Sequence, residues 1–178
     1  MHALDGPAGT LPSLRELARS VGVSPAAVYR HFPDKDALLV AIGQRGVHLL
    51  GEAQQAAYDA AGEVAAGFAA TGRAYVRFAL AHPALFRLVF THGGVARSDD
   101  KGSDPASALL RETTRRLTGG GPAAERLALQ AWAIAHGVAM LMLDSRLPPD
   151  DALIDRLIDT SSLFLIAGER ERDAAVAT

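Results

Sequence analysis

The chain has 178 residues, 49% of them hydrophobic and 21% charged, with a net charge of −2 and no cysteine. That balance describes a globular chain rather than a disordered one, and the missing thiols exclude disulfides, thiolate nucleophiles and thiolate metal sites. The opening MHALDGPAGT lacks the basic and apolar regions of a secretory signal, no apolar run is expected to span a bilayer without charges intervening, and the cytoplasm is the expected compartment.

Charge is unevenly spread. Residues 1–46 hold five Lys/Arg against four acids, whereas residues 47–178 hold 13 against 16. Only the first segment leans positive, which permits a surface for DNA there.

The expected class is all-α, because no stretch alternates like a strand. Ser13 caps a first helix with Glu16 at capping-box spacing, and Leu14, Leu17, Ala18 and Val21 form its apolar face. Gly22 ends that helix, taking the left-handed backbone of a tight turn. Ser24 caps a second, with Pro25 at its first position, where the missing N–H costs nothing. Pro33 stops it. Asp34 then caps a long third helix to about Ala60, a reading weakened by Gly43, Gly46 and Gly51.

Past Gly62, a helix presents Val64, Phe68, Thr71, Tyr75 and Phe78 on one face. His82-Pro83 marks a boundary, and PALFRLVF forms a short helix after it. Residues 91–105, polar and Gly-rich, read as a mobile loop. A helix from about Ala106 to Leu117 is closed by Gly119–Pro122. Residues 123–144 become apolar all round after Leu127, the mark of a helix buried on every side. Residues 151–168 carry two apolar rows, Leu153/Leu157/Phe164 and Ile154/Ile158/Leu165. Both last helices have more apolar surface than so small a domain can cover, so two copies are expected to pair through them as a four-helix interface.

The first two helices fit a helix-turn-helix. Ala18 is small where the helices cross, and Val28 is expected to plug the core from the second helix. In such units the second helix enters the major groove with its N-terminal residues at base edges. Here those are Pro25, Ala26 and Ala27, small enough for close approach and suited to thymine methyl contact. Tyr29, Arg30 and His31 follow within reach of phosphates or bases, and Lys35 suits a phosphate. Ser13, Arg15 and Ser24 complete the candidate DNA-binding set. A helical hairpin without a partner is the alternative, and for Tyr29 packing is as good a reading as phosphate contact.

Trp132, His136 and Met140 share one helix face. Core packing and the wall of a ligand cavity are both open readings for them, as they are for Phe68, Tyr75, Phe78 and Phe86. Catalysis has little behind it. The six histidines (residues 2, 31, 48, 82, 92 and 136) form no His-x3-His or His-Glu-x2-His pair. There is no Gly-x-Ser-x-Gly elbow or phosphate loop either, and no metal or cofactor is expected.

The stretch SLRELARSVGVSPAAVYRHFPDKDALL (13–39) resembles the DNA-binding segment of the tetracycline-repressor (TetR) family of bacterial regulators. The apolar-Arg-x-apolar-Ala, Gly-Val-Ser, Tyr-x-His-Phe and Lys-x-x-Leu features are all present. WAIAHG (132–137), with HPALFRLVF (82–90), is similar to a regulatory-domain subfamily marked by Trp-x3-His-Gly. The resemblance implies a DNA-binding domain over 1–45 and a helical ligand-binding and dimerisation domain over 46–178, with a cavity between its helices. The expected function is a one-component regulator, a repressor, that binds near-palindromic double-stranded operator DNA as a homodimer and is released by a small apolar effector. Family members begin with a further helix, and with about a dozen residues before Ser13 that helix is expected to be truncated or missing. A dimeric ligand-binding or interaction protein that no longer binds DNA is the alternative.

Overall fold

A computed structural model describes residues 13–91 and 105–159 of the chain. The expected first helix before Ser13, and the expected loop apart from its end residues, lie outside them. Among the described residues there are eight helices: α1 (Leu14–Ser20), α2 (Pro25–His31), α3 (Lys35–Ala60), α4 (Val64–Ala81), α5 (Pro83–Thr91), α6 (Pro105–Thr118), α7 (Gly121–Leu143) and α8 (Asp151–Leu157).

They fall into two compact units. The first runs through Gly46 and takes in α5 from Ala84; the second begins at Val47 and holds α4, α6, α7 and α8. The division therefore lies inside α3, and α5 groups with the N-terminal helices.

In the first unit, local signals set the elements. The Ser13–Glu16 capping box opens α1, Ser24 with Pro25 opens α2, and the Ala37 N–H donates to Asp34 Oδ1 at 2.8 Å to open α3. Gly22 turns the chain at φ 74°. Leu14 and Ala18 are buried, but Val21, placed on that same face by the sequence, is 67% exposed. The cause is local: α1 stops at Ser20, and Val21 is its C-cap, with φ −103° and ψ 5°. Val28, expected in the core, is half-buried, and α2 buries no residue at all.

The glycines of α3 do not break it. A Cβ on Gly46 would lie 2.8 Å from Val89 Cγ2 on α5, and one on Gly51 would lie 2.8 Å from Pro105 Cβ at the start of α6. These positions are glycine because a neighbour packs against the bare backbone, which outweighs the lost helix propensity.

The second unit is a helical bundle in which α4 packs on α6, α7 and α8, and α6 on α7. Phe68 and Leu127 form its buried centre, with Leu110, Leu117, Ala131 and Ile134 packed around them. The row read along α4 is turned inward: Phe68, Thr71, Tyr75 and Phe78 are all buried.

Three sequence readings need correction here. The Gly-Pro stretch assigned to the turn before α7 supplies the helix's own first residues, Gly121 and Pro122. Nor is α7 buried on every side, since Leu129, Trp132 and Leu141 are 64%, 46% and 45% exposed. By length and composition α7 is long and apolar enough to cross a bilayer, although Glu125 and Arg126 interrupt it and its uncharged run begins only at Leu127; its packing against α4 and α6 accounts for one apolar side. Finally, α8 ends at Leu157 instead of running on to 168. Ile158 leaves the helix at φ −122°, ψ 73°; its carbonyl accepts from Arg73 Nη1 at 3.0 Å, and its side chain fills the space over Gly72. Phe164 and Leu165 lie outside the described residues.

Candidate functional site

The helix-turn-helix is built by short-range bonds. The Glu16 N–H donates to Ser13 Oγ at 3.3 Å, while the Ser13 N–H and hydroxyl both donate to Glu16 Oε2 at 2.7 Å. The Ser13 N–H, and after it the hydroxyl, hold the Glu16 carboxyl below its ordinary range. The Ala27 N–H donates to Ser24 Oγ at 3.2 Å. The side chains of Ser13 and Ser24 are thus engaged in caps while remaining exposed.

Around them, the candidate DNA contacts share an open surface. Arg15, Ala26, Tyr29, Arg30 and His31 are exposed, and Pro25, Ala27 and Lys35 are half-buried. A helix that buries nothing, begins with three small residues and carries Tyr29, Arg30 and His31 in its last turn can lie against a groove. In that placement the small end would face base edges and the hydrogen-bonding side chains the DNA backbone.

The effector candidates divide. Tyr75, Trp132 and His136 come together: the Tyr75 hydroxyl lies 2.9 Å from His136 Nδ1, and the Trp132 and His136 ring centres are 5.9 Å apart. Burial lowers the His136 pKa below its ordinary value, so the neutral imidazole is favoured. Met140 is half-buried on the same helix. Phe68 sits instead in the bundle centre with Leu127, and Phe78 lies against His82 at 4.9 Å between ring centres. Phe86 belongs to the first unit, where it packs on Phe90 at 4.9 Å.

Two open grooves mark the second unit. One, of about 240 Å³, is lined by Tyr58, Asp59, Gly62, Glu63, Val64 and Arg116; the other, of about 470 Å³, is lined by His48, Gly51, Glu52, Gln55, Ala56, Asp59 and Pro105. Neither includes any of the effector candidates.

One residue that sequence reasoning passed over is Gln54, which is buried on α3 with its Nε2 donating to the Thr71 carbonyl at 3.2 Å. The signal was its register. It falls four residues after Leu50 and seven after Val47, a polar side chain on an otherwise apolar row.

Comparison with known proteins agrees with this architecture. Residues 7–42 match the family of bacterial regulatory proteins called tetR, and residues 68–161 match the tetracyclin repressor-like C-terminal domain. A solved structure of a protein of unknown function from Rhodococcus sp. RHA1 is 32% identical, covering 90% of this chain and 87% of its own, with a TM-score of 0.71. The crystal structure of SCO4313, a protein given an inferred regulatory role, shares the fold at 24% identity, covering 91% of this chain and 89% of its own, with a TM-score of 0.68. No functionally curated protein matches the chain. With a matched helix-turn-helix segment followed by a matched regulatory domain, the chain belongs to the TetR family, and it is a DNA-binding transcriptional regulator.

Proposed function

We propose that this regulator is a cytoplasmic, non-enzymatic repressor, a homodimer that holds a near-palindromic operator through its first 45 or so residues and releases it when a small uncharged effector occupies the helical domain over 46–178. The observation that carries the reading is α2. It buries none of its residues and leaves Ala26, Tyr29, Arg30 and His31 exposed, within residues 1–46, which lean positive as a segment while 47–178 lean negative. Two-fold pairing of such heads places them on successive major-groove faces, hence the near-palindrome.

Support for pairing comes from α7 and α8. Leu129, Trp132 and Leu141 on α7 and Leu157 on α8 stay exposed, and a Cβ added at Gly137 would meet nothing within 4 Å. A second copy covering that face removes apolar surface from water and can approach the bare backbone at Gly137. Release follows from differential affinity: an effector that binds better to one arrangement of the paired heads draws the population away from the operator-competent one. The lever in this reading is α3, one continuous helix that contributes residues to both units.

Fluorescence anisotropy with DNA from around its own gene, across a salt series, tests the claim. The expected result is submicromolar, sequence-preferring binding whose log affinity falls linearly with log salt. Binding without sequence preference, or none, overturns it. Lys35→Ala should weaken all sequences evenly and lower the salt slope by about one; loss of a single base preference instead would refute its phosphate role. Sedimentation at micromolar concentration is expected to give a dimer, and a monomer would sink the pairing.

A further inference from the structure

Four polar side chains are buried among the described residues: Gln54, Thr71, Thr113 and Thr114. The three threonines satisfy themselves locally. Thr71 donates to the Phe68 carbonyl at 2.7 Å, Thr113 to Leu109 at 2.7 Å and Thr114 to Leu110 at 3.0 Å. Gln54 differs. It is 8% exposed, its Nε2 donates across to the Thr71 carbonyl on α4, and its Oε1 is buried with no donor in reach among the described residues. Turning the amide over would point Oε1 at the Thr71 carbonyl, acceptor against acceptor, so the orientation is fixed by chemistry.

A buried acceptor without a donor is rare and costly. Methionine is nearly as long, and it would fill the same volume on the Val47–Leu50 row with nothing left unsatisfied. The chain instead holds an amide oxygen in the interior of the second unit. The amide is anchored on the turn of α4 that carries Phe68, the centre of the bundle's core. A neutral amide oxygen takes a hydrogen bond from an uncharged O–H or N–H with no buried charge to compensate, so an uncharged partner suits it.

We propose that Gln54 is the polar anchor of the effector site, its Oε1 accepting a hydrogen bond from an O–H or N–H group on an uncharged, otherwise apolar effector. This rests on the effector-released regulator described above and narrows it: the effector is an alcohol-, phenol- or amide-like molecule, and a pure hydrocarbon or ether does not serve.

Phenol and anisole, which differ in an O–H against an O–CH3, are suitable probes for the full chain. Phenol is expected to raise the melting temperature, to shift the Gln54 side-chain amide resonances, and to bind about tenfold tighter than anisole. Gln54→Met should raise the melting temperature of the probe-free protein by about 3 °C and level the two probes. Equal responses to both probes, a Gln54 amide that phenol leaves unmoved, or a Gln54→Met protein less stable than wild type (the outcome if an internal water already donates to Oε1) would each overturn the proposal. The wild-type resonance measurement decides the matter even if the variant folds poorly. Operator binding without probe is a separate readout. Loss of that binding with phenol selectivity intact defeats the regulator reading and keeps the anchor; the reverse keeps the regulator and defeats the anchor.

Discussion

Between them α1 and α2 bury only Leu14 and Ala18, whereas α4 alone buries eight residues from Gly67 to Ala79. The first pair is shaped by side-chain caps, a left-handed glycine and a proline at a helix start, all acting within a few residues of one another. The second region is shaped by burial between residues far apart in sequence. Each solution suits its task. A helix that must offer most of its surface to DNA cannot spend that surface on a core, so its order has to come from its ends. A bundle needs an interior, and gets it from contacts that sequence spacing alone does not reveal.

The contrast is tested most severely at Phe68. Phe68→Ala removes the centre of the bundle and should cost about 3–5 kcal/mol in denaturant unfolding followed by helical circular dichroism. A loss below about 1 kcal/mol would mean that the Phe68–Leu127 cluster is not the core that the packing indicates. Next in size is a comparison of two glycines. Gly51→Ala should destabilise by about 1–2 kcal/mol, because its Cβ would press to 2.8 Å on Pro105 Cβ and 3.2 Å on the Ala106 nitrogen. Gly137→Ala, where the new Cβ meets nothing within 4 Å, should gain about 0.5–1 kcal/mol from helix propensity in a monomeric sample. Thermal melts of the two variants side by side would show opposite signs; the same sign would say that propensity, not packing, governs both positions.

Legibility in the sequence followed the same divide. Ser13–Glu16, Gly22, Ser24-Pro25, Asp34 and His82-Pro83 were read correctly because each acts within one turn of itself. The exposure of Ala26, Tyr29, Arg30 and His31 follows from a helix with no apolar stripe. Gly46 and Gly51 looked like weaknesses because the neighbours that explain them, Val89 and Pro105, are some 40 to 55 residues away. The end of α8 was missed for a similar reason: Ile158 is drawn off the helix by Arg73 and Gly72 on α4. Uniform apolarity misled in α7, where composition cannot distinguish a face buried within the chain from one left exposed. Gln54 was passed over as a buried residue because one glutamine among the polar residues of α3 looks ordinary until its register with Val47 and Leu50 is counted.

Caps provide a smaller test of the local region. Ser24→Ala removes the acceptor of the Ala27 N–H and should cost α2 about 1 kcal/mol. Because α2 buries no residue, the loss should be confined there. Hydrogen exchange at the Ala27 and Val28 amides is expected to quicken about fivefold while the global melting temperature barely moves. A global loss of stability would show that α2 is tied into the remaining structure more tightly than its burial suggests.

The smallest effect is expected from His136, and its sign is the test. Burial lowers its pKa in the folded protein below the ordinary 6.5. Between those two values the unfolded chain binds a proton that the folded chain does not, so protonation draws the population toward unfolding. Stability should therefore be level above about pH 6.5 and decline as the pH falls below it. The Tyr75 hydroxyl lies 2.9 Å from His136 Nδ1, which can accept from it only in the neutral ring; once protonated, Nδ1 can only donate, in surroundings that disfavour the charge. Melting temperatures at pH 7.5 and 5.5, for wild type and for His136→Gln, separate this contribution from other titrations. The glutamine can still bond Tyr75 but does not titrate, so its decline over the same interval should be the shallower. An equal decline in both proteins would remove His136 as the source, and a steeper wild-type fall would mark this half-buried ring as a group of the second unit that responds to charge.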